Sequence, residues 1–235
     1  MEKTIELARV PVGIELHSTD ALPTLGPYLT DRPPALRVRL SGREREQARA
    51  RYGPEASEAY LEFMELCYAV SDGLLAFRRV VFHGTAFFWR GRVWILTGPS
   101  GTGKTTHYLH WKALWDREVE ILCGDKPILA FDGPEITVHP SPWNGKEAMG
   151  QLRSGPLGGI VVLRQSGTDR IRRLSRREAV WPLFPQFLFR RATVAQVQAV
   201  GRMEEQLLGQ VPVWLLENRV GGASALLCRN ALLEV

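Results

Sequence analysis

The stretch that decides the fold is RVWILTGPSGTGKTT at residues 92–106. Its first six residues, Arg92 to Thr97, are rich in β-formers and predict a strand. The glycine-rich residues 98–103 fit neither a helix nor a strand, and a helix is predicted from Thr105 to about Trp115. A strand, a loop with the spacing GxxxxGK[ST] and a helix, in this order, are typical of a loop that binds phosphate.

The residue types in this loop have a direct chemical reason. Glycines let backbone N–H groups turn inward around an anion, and the following helix offers its positive N-terminal end. Lys104, expected to be exposed, reaches the terminal phosphates of a nucleotide, and the Thr105 hydroxyl binds Mg²⁺. The sequence therefore predicts ATP and Mg²⁺ as cofactors, with the nucleotide bound by Gly98, Pro99, Ser100, Gly101, Thr102, Gly103, Lys104, Thr105 and Thr106.

A phosphate-binding loop also needs an acidic group that holds the metal, usually at the end of a neighbouring strand. Residues 119–122 predict the next strand, so that strand, loop, helix and strand form a βαβ-type unit. Asp125 follows this strand and lies 21 residues after Lys104. We predict that Asp125 and Thr105 hold the metal; an ordinary strand-end turn at residues 124–127 is the alternative.

Strands and helices alternate on both sides of this unit. Residues 1 to about 50 combine short β-like runs with turn residues, and Gly53 and Pro54 open a helix. The apolar face of that helix, predicted to pack in the core, is formed by Tyr60, Phe63, Met64, Cys67, Val70 and Leu74. Further strands are predicted at residues 80–82, 85–89, 136–138, 159–163 and 211–216, and helices at 175–184, 194–208 and 223–233. The alternation predicts an α/β fold.

Composition and charge narrow the class of protein. The 235 residues include 30 basic and 25 acidic ones, for a net charge of +5, which suits an anionic ligand such as a nucleotide. Without a long basic run, we expect no nucleic-acid partner. The longest aliphatic stretch, residues 157–163, is too short to cross a membrane, and the first ten residues contain no secretory signal. We expect a cytoplasmic protein with three reduced, buried cysteines, Cys67, Cys123 and Cys228.

Three segments resemble the kinases related to HPr kinase/phosphorylase, whose core is shared with phosphoenolpyruvate carboxykinase. They are the segment around FHG at 82–84 that continues into the phosphate loop, VEILCGDKPIL at 119–129, and SPWNGKE at 141–147. The resemblance spans residues 55–235. It implies an HPr kinase-like P-loop core at residues 76–235, preceded by a small α+β accessory part at residues 1–75.

The resemblance also implies an activity. It implies an ATP- and Mg²⁺-dependent kinase that transfers the γ-phosphate to a hydroxyl, with His83 beside the transferred phosphate. The catalytic residues would be His83, Lys104 and Asp125, and the acceptor a serine of a protein or peptide. A small-molecule acceptor such as a free amino acid, and a non-catalytic nucleotide-binding module, both stay open, as does a homo-oligomer.

The sequence departs from this group at one decisive position. The group has two consecutive aspartates after the strand, whereas this chain has Gly124 and Asp125. In HPr kinase the first of them is assigned as the base that accepts the hydroxyl proton. Here His83 is the nearest replacement, and an aspartate introduced at Gly124 is expected to face the γ-phosphate and raise phosphotransfer.

Two further segments are interpreted in two ways each. The arginines of residues 170–177 form either a solvated helix start or a group that neutralises phosphate or an acidic peptide. The loop at residues 142–147 either lines the substrate side of the site or is a surface turn anchored by Trp143.

Overall fold

A small three-stranded sheet forms the N-terminal part of the chain. The computed structural model describes residues 1–53, 55–145, 148–190 and 192–233. Strand β1 (Glu2–Leu7) pairs antiparallel with β2 (Val10–Glu15), and β3 (Leu36–Val38) pairs parallel with β2. The short helix α1 (Leu22–Leu25) and the 3₁₀ turn Gly26–Tyr28 lie in the connection from β2 to β3.

Two helices follow the small sheet. Helix α2 (Gly42–Tyr52), which the sequence analysis did not predict, begins with a capping box of Ser41 and Glu44. Helix α3 (Glu58–Leu74) begins at its N-cap Ser57, later than the predicted opening at Gly53 and Pro54; Pro54 lies outside the described residues.

The apolar face of α3 is only partly core. Cys67, Val70 and Leu74 are fully buried, as predicted. Tyr60, however, is 48% exposed, and Phe63 and Met64 are half-buried. Phe63 still packs against the core, so the prediction that all six positions pack there is wrong for Tyr60 and Met64, which line a cavity described below.

A ten-stranded mixed sheet forms the rest of the fold. Its strands are β4 (Arg79–Phe82), β5 (Gly84–Trp89), β6 (Arg92–Thr97), β7 (Val119–Cys123), β8 (Ile128–Ala130), β9 (Thr137–His139), β10 (Gly155–Gln165), β11 (Arg170–Arg173), β12 (Phe187–Leu188) and β13 (Val213–Asn218). Its helices are α4 (Lys104–Leu114), α5 (Arg176–Leu183), α6 (Val194–Gln210) and α7 (Gly222–Leu233). The predicted α/β class is confirmed at this level: a mixed fold with one large mixed sheet.

The strand order brings the C-terminal ends of β6 and β7 to the same edge of the large sheet. The strands run in the order β12-β4-β8-β9-β10-β6-β5-β7, and β13 pairs with β10 and β11. β6, β10 and β13 are parallel, whereas β5 is antiparallel to both β6 and β7. The predicted βαβ-type unit thus has β5 inserted between its two strands, and both strands still end at the same edge of the sheet.

The arginine-rich segment divides between two elements. Residues 170–173 form β11, which pairs antiparallel with β13, so they are not part of a helix start. Arg176 and Arg177 lie in the first turn of α5, the helix predicted at residues 175–184, which begins with a capping box of Ser175 and Glu178.

Hydrophobic packing crosses the predicted boundary at residue 75. One cluster combines side chains of β1, β2 and α3 with Val81, Ile128 and Trp143 of the large sheet and its loops. The division into parts 1–75 and 76–235 stays a prediction. The three cysteines are free and buried. Across the described residues, no helix is both long enough and apolar enough to cross a membrane.

Helix α4 is anchored by Trp111, which is fully buried against the ring of Phe87 at 5.2 Å, Trp89 at 5.3 Å and Trp115 at 5.1 Å between ring centroids. We predict that Trp111→Ala lowers the free energy of unfolding by about 3–5 kcal/mol, because truncating a buried aromatic residue leaves a cavity. The matched control is Trp181→Ala, whose side chain is 84% exposed and whose effect should stay within about 0.5 kcal/mol. Urea unfolding followed by circular dichroism measures both, and equal losses would contradict the packing.

Candidate functional site

The loop between β6 and α4 has the backbone conformation that an anion site requires. Gly98, Gly101 and Gly103 have φ angles of 142°, 82° and 88°, a region that favours glycine. A Cβ atom at Gly98 would lie 2.8 Å from the carbonyl oxygen of Leu163. Gly103 is the N-cap of α4, and no side chain caps this helix end. The first-turn N–H groups of α4 are therefore available to a phosphate.

Lys104 lies inside the loop. Its side chain is only 9% exposed, which corrects the expectation of an exposed lysine. Its Nζ donates to the carbonyl oxygens of Gly98 at 3.0 Å and Pro99 at 3.1 Å. Burial lowers the pKa of Lys104, and the Asp125 carboxylate opposes this shift.

Asp125 lies at the turn after β7 and is held through its backbone and its side chain. Its carbonyl oxygen accepts from the Gly84 N–H at 2.7 Å. One carboxylate oxygen pairs with Nζ of Lys126, and the other lies 3.4 Å from Nε2 of His83. Burial acts to lower the pKa of Lys126, but the charge and the hydrogen bond of Asp125 act in the opposite direction. The pKa of Lys126 therefore lies above its ordinary value. Sequence reasoning missed Lys126, whose only signal is its position next to Asp125.

His83 is held in one orientation by Gln186. Its Nδ1 lies 2.9 Å from Oε1 of Gln186, whose Nε2 donates to the carbonyl oxygen of Pro182 at 3.4 Å. In this orientation of the amide, Oε1 of Gln186 can accept from Nδ1 of His83, and Nε2 is the ring nitrogen beside Asp125. Thr97 Oγ1 donates to the His83 carbonyl oxygen at 2.7 Å, which ties His83 to the start of the phosphate loop.

The protonation state of His83 follows from its surroundings. Burial, and after it the positive charge of Lys104, lower the pKa of His83, while Asp125 opposes the shift. At neutral pH the imidazole is therefore neutral and can accept a proton. Sequence reasoning missed Gln186, because no local pattern connects residue 186 with residue 83.

Gly124 is a glycine because the backbone of another segment lies against it. A Cβ atom at this position would lie 2.5 Å from the carbonyl oxygen of Asn144 and 3.2 Å from that of Met149. The Gly124 N–H donates to the Met149 carbonyl oxygen at 2.9 Å, and its carbonyl oxygen accepts from Thr85 Oγ1 at 2.9 Å. The expectation that an aspartate at 124 faces the γ-phosphate is therefore wrong, since the close approach leaves no room for a side chain.

A cavity of about 1120 Å³ opens in front of the phosphate loop. The predicted site residues that line it are His83, Ser100, Gly101, Gly103, Lys104, Thr105, Thr106 and Asp125. Gly98, Pro99 and Thr102 do not line it; their part is within the loop, where Thr102 Oγ1 donates to the Pro99 carbonyl oxygen at 2.9 Å. The structure thus brings together His83, Lys104, Thr105 and Asp125, whose roles stay predictions.

The loop at residues 141–145 forms another side of the cavity. Trp143 is buried and its Nε1 donates to the Phe63 carbonyl oxygen at 2.9 Å, so it is the anchor that one interpretation expected. Pro142, Trp143, Asn144 and Gly145 also line the cavity, as the other interpretation expected. Lys146 and Glu147 lie outside the described residues. None of the arginines of residues 170–177 lines the cavity, and Arg172 pairs with Glu178.

The donor set at the mouth of the cavity fits Mg²⁺. Magnesium is held in nucleotide sites by one or two protein oxygen ligands, with water and phosphate completing its shell. The Asp125 carboxylate and the Thr105 hydroxyl are oxygen ligands of this kind, and both residues line the cavity. Within the described ranges, no group of three or more His, Cys, Asp or Glu side chains could form an all-protein metal site.

The comparisons with known proteins show a distant likeness among solved structures. No known protein family matches the chain, and no curated protein is similar to it. Among solved structures, the HPr(Ser) kinase/phosphatase from Coxiella burnetii is similar over 66% of this chain and 91% of that one, with 14% identity and a TM-score of 0.39. At these values the likeness carries no conclusion about the activity of this chain.

The packing around Gly124 predicts a measurable cost. Gly124→Ala should lower the free energy of unfolding by about 1–3 kcal/mol, because its methyl group overlaps the Asn144 carbonyl. Gly124→Asp should cost at least as much and bring no gain in phosphotransfer. The matched control is Gly133→Ala, whose Cβ would lie at an ordinary 3.5 Å from the Glu135 carbonyl oxygen. A Gly124→Asp variant that is as stable as wild type would contradict the geometry.

Proposed function

We propose that this chain is an ATP- and Mg²⁺-dependent kinase, related to HPr kinase, that transfers the γ-phosphate to a hydroxyl of a protein or peptide serine. The observation that carries the proposal is the convergence of Lys104, the uncapped start of α4, Asp125 and neutral His83 on one cavity. A phosphate site alone would need only the first two. The carboxylate and the histidine supply what phosphoryl transfer adds, namely a metal ligand and a base.

Each group has a part in the proposed reaction. The backbone N–H groups of residues 98–103 and of the first α4 turn bind and orient the phosphates, and Lys104 releases its two carbonyl oxygens to reach them. Thr105 and Asp125 would hold Mg²⁺, which supplies neutralisation of the charge on the phosphate oxygens. Asp125 must then give up its pair with Lys126, which frees Lys126 Nζ for a phosphate oxygen.

The transfer step needs a proton acceptor. The acceptor's hydroxyl oxygen forms a bond to the γ-phosphorus while the bond from phosphorus to the bridging oxygen of ADP breaks. The hydroxyl proton would go to Nε2 of His83, the ring nitrogen that lies beside Asp125 in a residue lining the cavity. Because positioning and electrostatics carry most of phosphoryl transfer, a histidine base suffices where the related kinases have an aspartate.

A non-catalytic nucleotide-binding module is the second candidate. It is favoured by the absence of a carboxylate at Gly124 and by the ion pair that engages Asp125. Release of ADP from Mg-ATP, with serine-containing proteins or peptides as acceptors, distinguishes the two. Acceptor phosphorylation that is lost in His83→Ala supports the kinase, and binding of ATP without turnover with any acceptor supports the module.

The proposed activity also indicates a cellular compartment and a class of acceptor. We propose that it acts in the cytoplasm, where ATP and reduced thiols are present, on a protein or peptide acceptor rather than on nucleic acid or at a membrane. A homo-oligomer is compatible with this activity.

Nucleotide binding should depend on Lys104. Lys104→Ala is expected to weaken ATP binding by about 3 kcal/mol, or about 100-fold in Kd, because a charged hydrogen bond to phosphate is lost. Calorimetric titration with Mg-ATP measures this, and circular dichroism checks the fold. The control is Lys112→Ala in the same helix, which should leave the Kd unchanged because Lys112 contacts Asp116 and Val119 through its Nζ and does not line the cavity. Wild-type affinity in Lys104→Ala would refute the phosphate site.

The metal should depend on Asp125. Asp125→Asn is expected to keep metal-free ATP binding but lose the additional rise in Tm that Mg²⁺ brings, because a neutral amide is a poor ligand for this cation. The control is Asp132→Asn, since Asp132 pairs with Arg79 at 2.7 Å and does not line the cavity. If Asp132→Asn removes the effect of Mg²⁺ and Asp125→Asn does not, the metal assignment is wrong.

A further inference from the structure

The cavity in front of the phosphate loop has two chemically different sides. One side holds the charged and polar groups already described. The other, here named the apolar wall, comes from the N-terminal part, the loop at 142–143 and the segment after Ala148. Its described members are Pro23, Pro27, Tyr28, Tyr60, Phe63, Met64, Pro142, Trp143 and Leu152.

Several side chains of the apolar wall leave hydrophobic surface in contact with water. Tyr60 is half-exposed, Phe63 and Met64 are half-buried, and Leu152 is exposed. On the same helix, Cys67 and Val70 are fully buried, so α3 changes from core to cavity along its length. Apolar surface in contact with water is unfavourable, and an apolar group that enters the cavity removes this surface from water.

Hydrogen bonds connect the apolar wall to the reaction site. Trp143 donates to the backbone of Phe63, and the two rings lie 5.8 Å apart. The next residue, Asn144, accepts from Cys123 Sγ through its Oδ1 at 3.1 Å, and its carbonyl oxygen lies against Gly124. Gly124 directly precedes Asp125. The wall is therefore held in a fixed position relative to the metal ligand, as a substrate site must be.

The size and charge of the cavity restrict its occupant. Its volume of about 1120 Å³ exceeds what a γ-phosphate and a free serine fill. Among its described lining residues, Asp125 is the only carboxylate, and it is assigned to the metal and paired with Lys126. A free amino acid would bring an ammonium group, for which the described lining has no second carboxylate.

We infer that the apolar wall is the acceptor site, and that it takes a peptide segment in which the serine is flanked by bulky apolar or aromatic residues. This inference rests on the proposed kinase activity. Tyr60 and Phe63 offer ring faces and Met64 an adaptable thioether, which suit apolar side chains of varied shape. The flanking residues bind the wall and place the serine hydroxyl beside His83.

The test uses peptides blocked at both ends. A pentapeptide with central serine between leucine and phenylalanine should be phosphorylated with a KM about tenfold lower than peptides with two glutamates, two lysines or two alanines in those positions. A matching peptide with alanine in place of the serine cannot react, so its Kd, measured by fluorescence anisotropy of a labelled copy, reports the wall alone.

Two variants of the wall carry the test further. Tyr60→Ser and Met64→Ser should each weaken binding of the unreactive apolar peptide about tenfold, without a change in the Kd for Mg-ATP. The matched control is Leu226→Ser, since Leu226 is 50% exposed, as Tyr60 is, but does not line the cavity. Circular dichroism confirms that all three fold.

The outcomes separate this inference from the proposed function. If the unreactive apolar peptide binds wild type no better than the charged ones, or binds the wall variants as well as wild type, the acceptor assignment is overturned whether or not the protein hydrolyses ATP. If that peptide binds as expected but serine peptides are never phosphorylated, the wall stands as a peptide site and the kinase activity is what fails.

Discussion

The site depends on the position of β5 between β6 and β7. Because β5 is antiparallel to both neighbours, its start lies at the edge where they end. Gly84 pairs with Thr97, the last residue of β6, and Ala86 pairs with Cys123, the last residue of β7. His83, the phosphate loop and Asp125 therefore meet, although they come from three separate parts of the sequence.

Electrostatics at this edge favour a highly charged anion. Lys104, Lys126 and the start of α4 bring positive charge, whereas Asp125 is the one carboxylate on the described lining of the cavity. Burial without enough counter-charge is why the pKa of Lys104 lies below its ordinary value and why His83 stays neutral. A triphosphate would supply the missing negative charge, and the metal would then replace Lys126 as the partner of Asp125.

The sequence predicted the parts of the site whose signal is local. The strand at residues 92–97, the loop glycines and a carboxylate after the next strand each follow from residues close together in the chain. Helix α2 was missed because it has no apolar periodicity; only Ala48 is buried in it, and the capping box of Ser41 and Glu44 was its one signal. The periodicity of α3 identified an apolar face correctly. It could not show that Tyr60, Phe63 and Met64, in the first two turns, line a cavity.

The other parts of the site could not be predicted from the sequence, because they depend on contacts between residues far apart in the chain, as Gly124 shows. In the sequence, Gly124 stands where the kinases that the chain resembles have an aspartate. From the sequence alone, introducing an aspartate there is therefore expected to raise phosphotransfer. In the fold, the Asn144 carbonyl occupies the space where that side chain would begin, and the preceding Trp143 donates to the Phe63 carbonyl oxygen of α3. The loop that excludes an acid at 124 is thus the same loop that contributes Trp143 to the apolar wall. A side chain at 124 would displace this loop, so in the proposed reaction the proton of the acceptor would go to a group outside β7, and His83, held by Gln186 and Thr97, is the group in place.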